Sequence, residues 1–493
     1  MIEASKSLRK AQRAVDESRF DDARLDYARA LVLSPYSVEA WRGMGYSLLQ
    51  LGNLSASLDA LERALRLDQS DLLSLLLMGR LALRLQQPAA AKSHFEAILA
   101  RLPASESARS GLVDALVAQG NLDGARAQAE LLLREAPASE VGALAAARVA
   151  FFERDDERAL RHFSRLVELR PAHAGHRYNR ALCLLRLGRY QQAWNDYEER
   201  FAAGAVFVPF PKSPRWDGAP VGHLLIVAEQ GLGDTILFSR FIAQAATRAQ
   251  RVTLCCPPSL RAVLARSLGV PCVAQAAADR SGQGWPEHDA HVALMSLPHR
   301  LGAGAGALQP RPPYLVPDPA RCAAWQQAFG ARNGPRIGVV HSASTAHSTE
   351  ANPFMKRSCA PVDLGPLVAL PGVATYNLNL GPAAEVARRE LPQLRDLPLP
   401  LADFDDSAAA MQCLDAVVSV DTAAAHVAGS SGVPLYLLLP FSHDWRWARL
   451  DGAPPWYPQV QTFLQDHPGD WAEPVRRMTE VLAADLARAA SPR

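Results

Sequence analysis

The sequence predicts a helical repeat region followed by two α/β domains with parallel sheets. Small residues recur every 34 positions through the first two hundred residues, at Ala23, Ser57, Ala91, Ala125, Ala159 and Ala193. An apolar strand, a glycine turn and a helix follow one another between residues 224 and 242, and a second unit of this kind spans residues 416–429. A period of 34 residues is typical of stacked helix pairs, whereas strand–turn–helix units are typical of parallel sheets.

Two other registers support the helical repeat. The position four residues after each small residue usually carries a large side chain. The residues at these positions are Tyr27, Leu61, Phe95, Ala129, Phe163 and Tyr197. The same period also connects Pro35, Pro103, Pro137 and Pro171, with Gln69 at the remaining position. Small residues let two helices approach closely, and proline ends the second helix of each pair. We therefore predict about six helix pairs in a first domain of residues 1–204.

The first strand–turn–helix unit places a carboxylate at a glycine turn. Gly231 and Gly233 allow the chain to turn tightly after the apolar strand and to approach a ligand closely. The start of the following helix offers free N–H groups and a partial positive charge, which suit an anionic or polar ligand. Asp234 is expected at or just before the first helical residue. There it could cap the helix or deprotonate a substrate hydroxyl, and both interpretations stay open.

The second unit has the features of a diphosphate site. A buried strand is predicted to end at Asp421, a helix to begin at Thr422, and Ala423 is the first of three alanines that leave the N–H groups of the helix start uncovered. His426, one turn into the helix, could donate to the same phosphate oxygens. The alternative is an ordinary alanine-rich helix in which His426 is a core residue.

Further apolar runs predict the remaining strands of the two α/β domains. The first domain, residues 205–318, has strands predicted near residues 252–255, 270–273 and 291–295. The second, residues 319–493, has strands predicted at 336–341, 374–379, 416–421 and 434–440. The loop after residue 341 is polar: it contains Ser344 and ends with Lys356 and Arg357. Hydroxyls and cations facing a cleft between the domains could balance the charge of a leaving nucleotide, although for residues 348–350 we prefer a solvated loop.

Composition excludes several classes of function. With 52 Lys and Arg against 50 Asp and Glu, the 493-residue chain has a formal net charge of +2, which argues against a nucleic-acid or anionic-membrane binder that relies on bulk charge. Its seven cysteines give neither a zinc spacing nor a disulfide framework. There is no apolar core of a signal peptide at the N-terminus and no apolar run that could span a bilayer, so we expect a cytoplasmic protein.

The repeat region resembles the tetratricopeptide repeat. Trp41, Gly45 and Leu48 in the second unit, and Gly79 in the third, match the first-helix pattern of that family. Such arrays form a superhelix whose concave face usually holds an extended peptide or a protein. The resemblance therefore implies a protein partner, and a rigid spacer or a dimerisation arm is the alternative.

The α/β region resembles a group of transferases. Its motifs are AEQGLGDT (228–235), MSLP (295–298), DFDD (403–406), VDTAAAH (420–426), DWRW (444–447) and PWYP (455–458). As an ordered set they resemble bacterial tetratricopeptide-repeat glycosyltransferases, whose catalytic part is similar to lipopolysaccharide heptosyltransferases and, more distantly, to O-linked N-acetylglucosamine transferases. The resemblance implies a GT-B fold of two Rossmann-like domains, an inverting mechanism, and no metal or other cofactor.

The resemblance also assigns roles to residues. The aspartate of the Gly-Asp turn is the proposed base in heptosyltransferases, which implies that Asp234 deprotonates the acceptor hydroxyl. The donor site implied by the motifs and the polar loop consists of Gly231, Gly233, Ser344, Lys356, Arg357, Asn379, Asp421, Thr422, Ala423 and His426. Relatives usually have Trp at the position of His341 and Ser-Leu-Gln at residues 377–379, where this chain has Asn-Leu-Asn. Both departures lie near the expected nucleotide and sugar.

The sequence therefore predicts an inverting glycosyltransferase that moves a sugar from a nucleotide sugar to Ser or Thr of a protein held by the repeats. Some bacterial relatives modify flagellin, so flagellin is an expected acceptor by resemblance alone. Two alternatives stay open: a glycolipid or polysaccharide acceptor, and a non-catalytic scaffold. The sequence leaves open which sugar and which nucleotide are used and where the acceptor is modified. It also leaves open whether the chain forms an oligomer.

Overall fold

A computed structural model of the chain describes residues 2–206, 208–274, 284–304, 313–344, 352–448 and 456–490. Contacts within the chain define two compact units, Met1–Leu169 and Arg170–Arg493. The sixth predicted helix pair lies in the second unit, together with both sheets. The predicted domain boundaries at residues 204 and 318 stay predictions.

The described part of the first unit consists of helices joined by short turns. They are α1 (Ile2–Asp16), α2 (Phe20–Leu33), α3 (Val38–Gln50), α4 (Leu54–Leu67), α5 (Leu72–Arg84), α6 (Pro88–Leu99), α7 (Glu106–Ala118), α8 (Leu122–Glu135), α9 (Glu140–Phe152) and α10 (Asp156–Leu169). Side chains that accept a backbone N–H begin seven of them: Ser37, Asn53, Asp71, Ser105, Asn121, Ser139 and Asp155. These caps replace the hydrogen bonds that a helix start lacks.

The repeat registers describe the core of this unit correctly. In α2, α4, α6, α8 and α10 the small residues are buried, and so are the residues four positions later. Phe95 of α6 shows why small residues are needed, because Cβ atoms added at Gly79 of α5 and Gly111 of α7 would each lie 2.5 Å from its ring. The large residue of one pair therefore fills space left by glycines in its own pair and in the next.

The second unit begins with the sixth helix pair and continues through a first sheet. Its elements are α11 (Ala174–Arg186), α12 (Tyr190–Tyr197), β1 (Val221–Val227), α13 (Leu232–Ser239), α14 (Ile242–Ala246), β2 (Ala249–Cys256), α15 (Arg261–Leu268), β3 (Cys272–Ala274), β4 (Ala290–Ala293) and α16 (Leu297–Leu301). The described strands are parallel and lie in the order β3-β2-β1-β4.

The remaining elements build a second parallel sheet. They are α17 (Pro319–Phe329), β5 (Arg336–Val340), α18 (Gly365–Val368), β6 (Ala374–Asn377), α19 (Gly381–Glu390), β7 (Arg395–Asp396), α20 (Phe404–Met411), β8 (Ala416–Val420), α21 (Ala423–Ser430), β9 (Leu435–Leu439), β10 (Val460–Leu464) and α22 (Ala472–Ala490). The strand order is β10-β9-β8-β5-β6-β7. Strands β5, β8 and β9 are buried throughout, as their unbroken apolar runs predict.

The strand orders locate the region where a ligand is expected. Strand β1 lies between β2 and β4, and β5 lies between β6 and β8, so the chain changes direction across each sheet at these strands. Ligands of open parallel sheets bind beyond the carboxyl ends of strands at such switch points. The glycine turn after β1, the loop after β5 and the turn after β8 all begin there.

Three details differ from the sequence prediction. Helix α13 begins at Leu232, so Asp234 is its third residue and not a residue at or before its start. The single helix predicted after the glycine turn is divided into α13 and α14. Strands β7 and β10 were not predicted, because β7 has two exposed residues and β10 follows a proline-rich segment. Among the described residues, none of the helices is both long and apolar enough to traverse a bilayer.

Candidate functional site

The two glycine- and alanine-rich turns lie against each other. A Cβ atom added at Gly233 of α13 would lie 2.5 Å from Cδ2 of His426 and 3.5 Å from Cα of Ala423, both in α21. Residues 231–234 and 421–424 are all partly exposed, whereas the strands and helices that carry them are buried. The helix starts that follow β1 and β8 thus meet at a partly open place between the two sheets.

Asp234 is held in this place from two sides. Its Oδ2 accepts a hydrogen bond from the N–H of Gly231 at 2.9 Å, so the carboxylate caps its own helix. Its Oδ1 lies 2.5 Å from Nε of Arg446, and 16% of the Asp234 side chain is exposed. Burial raises the pKa of Asp234, and Arg446 and the Gly231 N–H partly oppose that change by lowering it. The capping interpretation of the sequence describes a real contact, and it leaves the catalytic interpretation open.

The turn after β8 is fixed by an aromatic side chain. Thr422 precedes the first residue of α21, Ala423, and Oδ1 of Asp421 accepts from Nε1 of Trp447 at 2.8 Å. Burial raises the pKa of Asp421 to about 6, an effect that the nearby Arg357 opposes. The Thr422 hydroxyl lies 3.1 Å from that of Ser419 at the end of the strand.

His426 is a buried, neutral histidine. Its ring stacks on Trp447 with centroids 4.7 Å apart, and its Nδ1 lies 3.0 Å from the hydroxyl of Tyr457. Burial lowers the pKa of His426 to about 3, so it carries no charge near neutral pH. Its Nε2 lies on the side of Gly233. This packing is what a core histidine shows, and donor binding by His426 stays a prediction.

The basic and polar candidates of the second sheet are placed unevenly. Arg357 is half-buried and its Nη1 is 3.4 Å from the carbonyl oxygen of Asp421, whereas Lys356 and Ser344 are exposed. The side chain of Asn379 is buried: its Oδ1 accepts from the N–H of His341 at 3.1 Å, and its Nδ2 donates to Oδ1 of Asn377 at 2.8 Å. Asn379 therefore joins the ends of β5 and β6. Residues 345–351, including 348–350 of the polar loop, lie outside the described residues.

Sequence reasoning missed the role of a segment that bridges the two turns, residues 444–447. Arg446 pairs with Asp234, and Trp447 binds Asp421 and stacks on His426. Trp445 packs edge-on against Trp194 of α12 at a centroid distance of 6.1 Å. The DWRW motif was noted only as part of a resemblance. Its position beyond the carboxyl end of β9 was the signal that could have assigned it to the site.

Sequence reasoning also missed the roles of two residues in the AEQGLGDT motif, which connect the end of β1 to the sixth helix pair. Glu229 and Arg200 form an ion pair in which neither side chain is exposed, with Nη2–Oε1 at 2.7 Å and Nε–Oε2 at 3.1 Å. Gln230 donates from Nε2 to the hydroxyl of Tyr197 at 3.0 Å and accepts at Oε1 from Nη2 of Arg446 at 3.1 Å. The motif is therefore bound to α12 and the turn that follows it.

No group of three or more His, Cys, Asp or Glu side chains within the described residues is arranged to hold a metal ion. Two arginines lie close to the turns, Arg357 near the turn after β8 and Arg446 at Asp234. Guanidinium groups can neutralise phosphate oxygens by charge-assisted hydrogen bonds.

Comparisons with known proteins identify the repeats. Two family models match, both described as tetratricopeptide repeats: one covers residues 8–71 and 144–206, the other residues 82–147. Neither describes a glycosyltransferase. Solved structures similar in part include a tetratricopeptide repeat protein from Parabacteroides merdae (17% identity, 41% of this chain and 80% of that one, TM-score 0.35) and PilW, a type IV pilus biogenesis factor (18%, 41% and 94%, TM-score 0.37).

One curated relative extends beyond the repeats. Protein FlbA of Caulobacter vibrioides is 30% identical over 334 residues, which are 62% of this chain and 54% of FlbA. The chain thus spans about half the length of this relative. The match is longer than the repeat region of residues 8–206, so it includes part of the α/β region. Residues 8–206 of the chain contain tetratricopeptide repeats, and an α/β region with two parallel sheets follows.

Proposed function

We propose that the chain is an inverting glycosyltransferase of the GT-B type that needs no metal and transfers a sugar from a nucleotide sugar to Ser or Thr of a protein. The observation that carries the proposal is the meeting of two helix starts, those of α13 and α21, with a carboxylate at one and an arginine at the other. A transferase of this kind needs both a base for the acceptor and positive potential for the leaving diphosphate.

The donor is assigned to the start of α21. Thr422 and Ala423 at the start of α21 are partly exposed, and the helix dipole favours a negative group there. Arg357 adds a positive charge near the same turn. The nucleoside diphosphate would be held by these groups as its bond to the sugar breaks. Each charge-assisted contact contributes about 1.5–3 kcal/mol.

The acceptor is assigned to the side of Asp234. In the proposed step the acceptor oxygen attacks the anomeric carbon, its proton passes to the Asp234 carboxylate, and the bond from that carbon to the diphosphate oxygen breaks. One attack from the face opposite the leaving group inverts the anomeric centre. The raised pKa of Asp234 makes it a stronger base than an exposed aspartate, while the ion pair with Arg446 favours its ionised form.

The repeats are assigned to the protein acceptor. Tetratricopeptide arrays commonly bind peptides or proteins along their concave face, and the first unit has five helix pairs built on one repeat. Flagellin is the acceptor that we would test first, on the resemblance alone. A cytoplasmic location follows from the proposal, because nucleotide sugars are made in the cytoplasm.

A ligand screen followed by one variant tests the proposal. We expect the full chain to gain thermal stability with one class of nucleotide or nucleotide sugar in the presence of EDTA, because a ligand at a hundred times its dissociation constant adds about 2.7 kcal/mol. Asp234→Asn should keep this gain and lower transfer by about 10²–10⁴-fold. No stabilisation by any nucleotide would favour a scaffold, and full activity of the variant would exclude Asp234 as the base.

A further inference from the structure

Arg446 connects the Asp234 carboxylate to three parts of the second unit. Its Nε lies 2.5 Å from Oδ1 of Asp234, its Nη1 donates to Oδ1 of Asp444 at 2.8 Å, and its Nη2 donates to Oε1 of Gln230 at 3.1 Å. Its guanidinium lies over the ring of Trp445 at 4.7 Å, and 11% of its side chain is exposed. A planar group with this many fixed partners has little freedom to rotate.

Each of the two oxygens of the carboxylate has its own partner. Oδ2 is held by the N–H of Gly231, in the first α/β half, and Oδ1 by Arg446, which follows β9 of the second sheet. An ionised carboxylate accepts about four hydrogen bonds. Two directions are therefore occupied in a defined way, and acceptor capacity is left for the proton of a substrate hydroxyl.

Gln230 extends the connection to the sixth helix pair. Its backbone has a left-handed φ of 60°, a conformation that non-glycine residues rarely adopt unless their surroundings hold them in it. Its amide donates to the hydroxyl of Tyr197, a buried residue of α12, and accepts from Arg446. A continuous set of contacts thus leads from α12 through Gln230 and Arg446 to Asp234.

We propose that Arg446 is a positioning residue for the Asp234 carboxylate, and that Gln230 and Tyr197 couple the last helix pair of the repeats to it. The catalytic value of this positioning rests on the proposed function. Arg446 sets the direction in which the carboxylate faces the acceptor and keeps it ionised, because an adjacent guanidinium favours the charged form. The end of the repeats thereby contributes to the geometry of the base.

The charged and titratable groups around Asp234 allow a test of whether Arg446 lowers the pKa of that carboxyl. Arg446 and Asp444 approach it from the loop after β9, Tyr178 from α11, and Tyr457 from the start of the chain that leads to β10. Of these, Arg446 is the positive one. His426, beside Gly233, is neutral. Removal of Arg446 should therefore raise the pKa of Asp234 further, and no neighbouring cation in this set replaces it.

The test measures protonation of Asp234 in the full chain without substrate. A water-soluble carbodiimide with glycine ethyl ester modifies protonated carboxyl groups, and mass spectrometry of the peptide that contains Asp234 gives the extent of modification at each pH. In Arg446→Met we expect the midpoint to move up by at least one pH unit, a tenfold change in the protonation equilibrium. Arg446→Lys should move it less. Arg388→Met, which breaks an exposed pair with Asp396, is the control.

Each outcome decides one part of the proposal. An unmoved midpoint in a folded Arg446→Met chain would overturn the role of Arg446. If that variant does not fold, Arg446→Lys is measured instead. The role of Arg446 is then overturned if Arg446→Lys has the midpoint and the transfer rate of the wild type. Tyr197→Phe should shift the midpoint in the same direction by a smaller amount, and a midpoint equal to that of the wild type would overturn the coupling to α12. Should Asp234→Asn keep full transfer, Asp234 is not the base even where the midpoint shifts. The proposed function itself fails if no nucleotide stabilises the chain, so its failure and that of the positioning role are distinguishable.

Discussion

Loss of the Arg200 guanidinium should destabilise the second unit strongly. Arg200 and Glu229 are both fully buried, and Arg200 makes further hydrogen bonds to Oγ of Ser296 at 2.7 Å and to Oε1 of Glu198 at 2.8 Å. In Arg200→Met the Glu229 carboxylate keeps the N–H of Met295 as a donor but loses its charge partner. Breaking a buried pair by removing one partner costs about 3–5 kcal/mol, and we expect a loss in that range.

Urea unfolding followed by tryptophan fluorescence measures this loss. Eight of the nine tryptophans lie in Arg170–Arg493, so the signal reports mainly on the second unit. Arg476→Met, which removes an exposed arginine paired with Glu473 and Glu480, is the matched control and should change stability little. The reasoning would be refuted if the Arg200→Met chain stayed within about 1 kcal/mol of the wild type.

A double variant separates the lost charge pair from lost packing. Glu229→Leu combined with Arg200→Met leaves no uncompensated charge in the interior, and apolar replacements of buried pairs are often tolerated. We expect the double variant to be more stable than Arg200→Met alone. If it is less stable by the sum of both single changes, the ion pair contributes no specific coupling.

Two further predictions concern the contact between α13 and α21. Gly233→Ala should destabilise the second unit by about 1–3 kcal/mol, because the added Cβ would lie 2.5 Å from the ring of His426. Gly365→Ala is the control and should change stability little, since the space around Gly365 is open. Equal effects of the two changes in urea unfolding would contradict the prediction. His426 has a pKa lowered to about 3, so the unfolded chain binds a proton there that the folded chain excludes, and stability should fall as the pH drops below 6.5, by at most about 1.4 kcal/mol per pH unit. His426→Gln should reduce this pH dependence between about pH 6.5 and 5, and an unchanged slope would show that the histidine is not held neutral.

The parts of the fold that follow local rules were predictable. The 34-residue period identified the buried positions, such as Phe95, because every pair of helices uses the same packing. Unbroken apolar runs identified strands such as β8, since a strand buried on both faces needs them. The rule that ligands of open parallel sheets bind beyond the carboxyl ends of strands directed attention to the turns after β1 and β8.

The contacts that give the site its electrostatics could not be predicted from these patterns. Arg446 and Asp234 are far apart in the sequence, and no period or local motif connects them. No contact of its own was predicted for Glu229, yet it is buried and paired with Arg200, which reaches it from the end of the repeats. The start of α13 was placed too late because Asp234 was expected to cap from outside the helix, whereas its carboxylate reaches back from the third helical position.

The inclusion of the sixth helix pair in the second unit has a consequence for how this protein can be divided. Trp194 of α12 donates from Nε1 to the carbonyl oxygen of Ala303 at 2.9 Å and packs against Trp445. A chain shortened to begin after residue 204 would lose these partners and would expose aromatic surface that favours aggregation. A chain that begins at Arg170 keeps them. Repeats before Arg170 are therefore the natural modules to exchange in a test of the proposed acceptor binding.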